Sequence, residues 1–403
     1  MKNCFMSADI MLPADGCFEK WAVIACDQFT SDTAYWDRVE DFVGNDRSTL
    51  RLVLPEIYLE QNPKERIANI SKNMEEHLKS GVFTTHGSSF VYVERTLLDG
   101  SIRPGIVGKI DLEQYHYDPS HKPAIGATEQ TVLERIPPRI AVRREASVEF
   151  PHVILFCNDE QDRVIEPVRR NKDNLPKLYD FMLMEDGGHI AGWLVSGGEA
   201  EKLQQSISAY LNDAQGSALL VADGNHSLVT AKCWYEELKK NHPGVDLSEH
   251  PARYALVELE NILDPSVMFE PIHRVLFEID PGKLLADISA ISKEGGAPVQ
   301  WVIGERKGVV YLDVPNGELT VSVLQKFLDQ WLKENGGKID YIHDTDAVEA
   351  LAAQENTIGL LLPVFDKSEL FAFGASGKIL PRKTFSLGHG REKRYYLEGR
   401  MIR

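Results

Sequence analysis

Apolar residues recur along this chain with two different periods. Ile67, Ile70, Met74 and Leu78 fall three or four positions apart, which predicts a helix over Ile67–Leu78 closed by Gly81. Leu203–Leu211 and Leu228–Asn241 carry the same spacing, and the acidic, aromatic stretch around Tyr35 and Trp36 reads as helical. Phe90–Thr96 alternates in the manner of a strand. Short apolar runs at Trp21–Ala25, Val107–Leu112, Val153–Cys157, His189–Val195, Ala218–Ala222 and Arg253–Leu259 predict further strands.

Beyond residue 280 the elements become shorter. Helices at Lys283–Ile291, Val321–Glu334 and Asp346–Gln354 interleave with strands at Val299–Ile303, Val309–Val314, Ile339–Ile342, Ile358–Leu362 and Leu370–Phe373. This alternation predicts an α/β fold of mixed α+β character. Pro271, Asp280, Pro281 and Gly282 cluster where the pattern changes. The expected division is a main domain over 1–275 and a smaller C-terminal α/β module over 276–403, ending in a basic tail.

Composition narrows the function classes. The chain has 403 residues, 43% hydrophobic and 26% charged, which is ordinary for a globular protein and long enough for more than one domain. Lys plus Arg number 44 against 61 Asp plus Glu, a formal charge of −17 that argues against coating nucleic acid. The five cysteines are odd in number and widely spaced, without Cys-x-x-Cys, so neither a disulfide framework nor a zinc site of the usual spacing is expected. Met1–Gly16 lacks the pattern of a signal peptide, and the apolar run Ile358–Phe365 is far shorter than a membrane span. The expectation is a reduced, soluble, cytoplasmic protein with no nucleic-acid or membrane partner and no metal site of its own.

The chemistry concentrates in Ala222-Asp-Gly-Asn-His-Ser227. A buried strand runs through a two-residue turn directly into an amphipathic helix. Gly224 can take a positive φ and lie against a ligand. Asp223 or Asn225 can cap the helix. The opening amides of such a helix favour a phosphate or carboxylate, with His226 at the ligand edge as donor or proton carrier. The same residues also read as a plain strand-to-helix turn. Walker A, Gly-x-Gly-x-x-Gly, His-Glu-x-x-His and Gly-x-Ser-x-Gly patterns do not occur.

The stretch Ala222–His226 resembles the Ala-Asp-Gly-His-His-Arg signature of domain-of-unknown-function family 1015. Trp21–Thr30, Thr128-Glu-Gln-Thr131 running to Arg139, Pro271-Ile-His-Arg274 and Pro381–Phe385 agree with that family in order. The turn is also similar to the phosphate-binding turn of the ParB/sulfiredoxin-like fold, which includes free-serine kinases. That resemblance implies a ParB/sulfiredoxin-like core with additional α/β elements. It implies a nucleotide-dependent phosphotransferase using ATP or ADP with Mg²⁺ on a small-molecule substrate, a hydroxylated amino acid being the leading candidate. In that scheme Gly224, Asn225 and Ser227 cradle phosphate, Asp223 or Glu129 is the base, and His226 and Arg139 offset charge. Two departures matter. Ser227 stands where the family has an Arg, and Asn225 stands where sulfiredoxins need a Cys. Two other readings remain open: a nucleotide or metabolite sensor that does not turn over, and a scaffold whose turn is structural.

Other residues carry two readings each. Arg139, after two stiffening prolines and near Thr131, Arg135, Arg143 and Arg144, either meets an anion or belongs to a solvated surface. His273 and Arg274 are ligand contacts or packed residues. Thr84–Ser89 is a polar ligand loop or a tight turn before a strand, and Cys26-Asp27 ends an apolar strand. Residues 378–403 hold eight basic residues against two acids. Either Arg382 and Lys383 supply the cation missing at Ser227, or the tail neutralises the acidic body or a second subunit, which leaves a homo-oligomer open.

Overall fold

The computed structural model describes residues 3–30, 32–59, 61, 63–118, 121, 123–129, 136–150, 153–376, 378–381 and 383–403. Two compact units emerge. One comprises Met1–Val267, Gly374–Lys378 and Gly390–Arg403, the other Met268–Phe373 and Ile379–His389. The class is mixed α/β, as the alternating periods predict.

The first unit is built on a large mixed sheet. Its strands run in the order Lys177–Met182, His189–Val195, Phe83–Thr96, Ile102–Asp111, Tyr254–Asn261, Ile154–Cys157, Leu219–Asp223, Ile125–Gly126 and Tyr115–His116. The first five pair antiparallel. Tyr254–Asn261 then runs parallel to Ile154–Cys157, which pairs antiparallel with Leu219–Asp223. Ile154–Cys157 is buried at every position, which accounts for its unbroken apolar run. Register places Ile154 opposite Glu258 on one side and Asp223 on the other.

The basic tail is woven into this unit. Tyr395–Tyr396 pairs with Val23–Ile24, and Arg400–Met401 pairs with Val148–Glu149. Trp21 Nε1 donates to Leu397 O at 2.9 Å. Trp21 itself closes a short helix, Phe18–Trp21, so the predicted Trp21–Ala25 strand contracts to Val23–Ile24.

Backbone room for a buried carboxylate comes from Gly105. A Cβ at that position would collide with Glu258 Oε1. Gly105→Ala is expected to cost about 1–3 kcal/mol through overpacking, read as a lowered urea midpoint. An unchanged midpoint would show that Glu258 moves aside freely.

The second unit has an antiparallel five-stranded sheet ordered Arg306–Leu312, Ser292–Ile303, Ile358–Leu361, His273–Phe277 and Lys338–Ile342. Leu284 and Ile288 from one helix and Leu324 and Leu328 from another pack with Val299, Ile358 and Leu360 in its core.

Two further readings change. Leu370–Phe373 is the start of a helix, Leu370–Ala375, because a four-residue apolar run does not distinguish strand from helix, and the preceding 3₁₀ turn capped by Asp366 leads into it. Thr84–Ser89 is the outer part of the long strand Phe83–Thr96 rather than a loop. Its pairing with Ala8–Pro13 shifts register where Ser88 takes φ 45° and donates its amide to Asp9 Oδ1. Among the described residues no helix is long and apolar enough to cross a membrane.

Candidate functional site

The strand Leu219–Asp223 stays buried up to its last residue, where the chain turns into the helix Asn225–Asn241. Gly224 makes that turn at φ 84° and ψ 25°, in the left-handed region where a Cβ is penalised. The cap position, Gly224, makes no side-chain cap bond. Asp223 and Asn225, both expected as caps, are turned to other partners. Asp223 Oδ2 lies 3.3 Å from Lys393 Nζ, with both side chains largely buried. Asn225 Nδ2 donates to Thr128 Oγ1 (3.4 Å), whose hydroxyl donates to Val221 O (2.7 Å). Asn225 Oδ1 is buried, and no described residue donates to it. The first helical bond runs from Leu228 N to Gly224 O. The opening amides and the positive end of the helix therefore face the turn.

Thr128 ties a second candidate to the motif. Ile125 and Gly126 pair in parallel with Leu219 and Leu220, which carries half-buried Glu129 alongside the same strand. Thr131 and Arg135 lie outside the described residues. His226 is half-buried, and its carbonyl accepts from Thr230 Oγ1 at 2.7 Å.

Carboxylates and cations interlock behind the turn. Asp223 and Glu258 flank Ile154 in one row, so both leave the sheet on one face, about two strand spacings or 9–10 Å apart. Adjacent tail residues serve them: Lys393 pairs with Asp223 and Arg394 with Glu258. Arg394 also binds Glu398 Oε2 at 2.6 Å, and Tyr179 donates its hydroxyl to the same carboxylate. Arg103 Nε lies 3.1 Å from Glu260 Oε1, and its Nη2 donates to Glu392 O at 2.8 Å. Burial pushes the Glu260 carboxyl above the ordinary range, and the neighbouring guanidinium of Arg103 offsets only part of that.

The motif candidates do not include Glu258, Glu260, Lys393 or Arg394. The signal for the first two is in the sequence: Ala255-Leu-Val-Glu-Leu-Glu260 puts two acids into an otherwise apolar strand.

Arg139 belongs to the helix Ile136–Glu145, pairs with Glu56, and lines the cavity that Ser227 also lines. Cys26 borders the same cavity, and burial, reinforced by Asp27, pushes its thiol up to about 11, which leaves it protonated at neutral pH.

The remaining candidates lie in the second unit. Arg274 is fully buried and donates from Nε to Gln325 Oε1 at 3.1 Å. His273 Nδ1 accepts from Leu362 N at 3.1 Å, and burial, then adjacent Arg274, holds its pKa below the usual value. Lys383 is exposed with φ 58°, and Arg382 lies outside the described residues.

A family model described as a protein of unknown function (DUF1015) matches residues 11–362. No curated protein matches. Among solved structures, a free serine kinase in complex with AMP aligns at 12% identity over 73% of this chain and 90% of its own, with a TM-score of 0.38. A conserved hypothetical protein from Pyrococcus furiosus aligns at 12% identity over 72% and 90%, with a TM-score of 0.36. SbnI with a C-terminal truncation, from Staphylococcus aureus, aligns at 10% identity over 70% and 81%, with a TM-score of 0.38.

Proposed function

We propose that this chain, which belongs to the DUF1015 family, is a nucleotide-dependent phosphotransferase acting on a small hydroxylated metabolite. The observation that carries this reading is the helix opening at Asn225. It starts from a left-handed glycine and is bordered by the Asp223–Lys393 pair. Such an opening suits a phosphate group.

In this reading the amides after Gly224 hold the phosphate to be transferred, and Lys393 and His226 offset its charge. Asp223 or Glu129 takes the acceptor's hydroxyl proton, which demands reach more than an unusual pKa. The buried Lys393 meets the need for a cation left by Ser227. Among the described residues no group of three His, Cys, Asp or Glu side chains could hold a metal ion. A Mg²⁺ ion brought with ATP or ADP would supply charge neutralisation on the phosphates.

Ser227 in place of the family's Arg favours a second reading, a sensor that binds without turnover. Phosphorus NMR of the full chain with ATP, ADP or CTP and a panel including serine separates the two. New phosphomonoester, matched by conversion of the nucleotide to its form one phosphate shorter, is the expected result, and saturable binding without turnover would establish the sensor. If no nucleotide and no inorganic phosphate shifts the melting temperature, both readings fall.

A further inference from the structure

The five-stranded sheet of the second unit has two outer strands, and they are finished differently. Lys338–Ile342 exposes Lys338 and Asp340, charges of the kind that keep a sheet edge from pairing further. Arg306–Leu312 exposes Val309 (44%) and Tyr311 (47%) instead. Lys307, the nearest cation, is met by Glu349 of its own chain at 2.6 Å. The strand contains no proline, and its pairing with Ser292–Ile303 runs without a bulge from Arg306 to Tyr311. It lacks the usual devices that blunt an edge.

Hairpin geometry determines which main-chain groups lie on the free side. Ile303 and Arg306 face each other across the two-residue turn Gly304-Glu305. Residues flanking such a turn exchange both main-chain hydrogen bonds, and bonded and non-bonded pairs then alternate. Arg306, Gly308 and Val310 therefore bond to the inner strand. The amides and carbonyls of Lys307, Val309 and Tyr311 point outward. Among the described residues none of these groups takes a main-chain partner outside the sheet. The same three side chains share one face of the strand, and all are exposed.

We propose that Arg306–Leu312 pairs antiparallel with the same strand of a second copy of this chain, in a two-fold dimer centred on Val309. In that register Val309 meets Val309, and each Lys307 meets the Tyr311 of the other copy. All the outward residues of both strands are matched, which gives about six hydrogen bonds between the chains. Centring on Gly308 or Val310 leaves one outward residue of each strand unmatched, and centring on Lys307 opposes like charges.

The side chains agree with this register. Val309 packs on Val309, and an ammonium lies beside an aromatic ring on either side of it. Beyond the ladder Glu305 comes opposite Asp313, whose charge is met by Lys293 of its own chain at 3.4 Å. The contact uses no residue of the Asp223 turn, so it stands or falls apart from the phosphotransferase reading.

A ladder this short buries less than the ~1,600 Å² of a standard interface, so sedimentation velocity of the full chain should show monomer at about 1 μM and a discrete dimer at about 100 μM. Val309→Pro removes an outward amide that the chain's own sheet does not use, a change that edge strands accept. It is expected to leave the melting temperature little changed and to abolish the dimer. Should Val309→Pro fail to fold, Val309→Lys sets two cations face to face and gives the same readout. Cross-linking reads the register, in a Cys17→Ser background that removes the exposed native thiol. Val309→Cys should form a disulfide between chains under mild oxidation, because paired Cα atoms lie about 5.5 Å apart. Lys307→Cys should not, because the two positions lie about 14 Å apart. The proposal is overturned if the chain stays monomeric at the higher concentration, if the Val309 variants dimerise as wild type does, if association runs on past the dimer, or if Lys307→Cys cross-links as readily as Val309→Cys.

Discussion

Arg394→Leu is expected to be the most destabilising single substitution in the first unit, at about 3–5 kcal/mol. The guanidinium sits between Glu258 and Glu398, and the three side chains are 3%, 7% and 0% exposed. Replacing two charges' worth of hydration with each other is near break-even for such a group. Removing only the cation takes from two buried carboxylates the guanidinium that both pair with, and that is where the cost arises. Leu approximates the volume, so a cavity adds little to the loss. Chemical denaturation of wild type and variant at pH 7 measures it.

Charge-neutral substitutions identify the cause. The triple change Arg394→Leu with Glu258→Gln and Glu398→Gln should recover much of the loss at pH 7. A loss that persists in the triple variant would point to packing instead, and the electrostatic account of the cluster would be wrong.

The motif turn was legible in the sequence because its causes are local. A five-residue apolar strand, a glycine suited to positive φ and a helical period beginning at Leu228 all lie within a short stretch, and the structure has that strand, turn and helix. The caps were misread for the same reason. Asp223 and Asn225 are ordinary capping residues, but their partners, Lys393 and Thr128, come from distant segments. Sequence distance also hid Arg394, which meets Glu258 from 136 positions away. The excess of basic residues in the tail was visible. Which of them reach the acidic body was not, because register along Gly390–Arg403 is set by pairing with Val23–Ile24 and Val148–Glu149. Arg394 and Arg400 then fall on Glu258 and Glu149, while Lys383 lies exposed in the other unit. Glu258 was legible in principle, since an acid in a buried strand must find a partner.

Lys393 and Asp223 offer the sharpest separation of chemistry from fold. If the turn transfers phosphate, Asp223→Asn removes the charge while keeping the shape, and turnover should fall by about 10²–10⁴-fold, the range of a lost general base. Lys393→Met removes a cation aimed at developing negative charge and should cost about 10²–10³-fold, the effect of losing one such electrostatic contact. The two residues face each other, so their losses should not add. Asp223→Asn with Lys393→Met should be little worse than the poorer single variant, and its stability should exceed that of Lys393→Met alone, because no buried carboxylate is left without a cation. Steady-state rates with saturating nucleotide, set against urea midpoints for the same proteins, make both comparisons. A purely structural pair would share the stability pattern and differ in turnover alone. Stability would change in each single variant and return in the double, while nucleotide affinity and turnover followed the folded fraction alone. That outcome would remove Asp223 and Lys393 from the chemistry and leave Glu129 as the remaining candidate base.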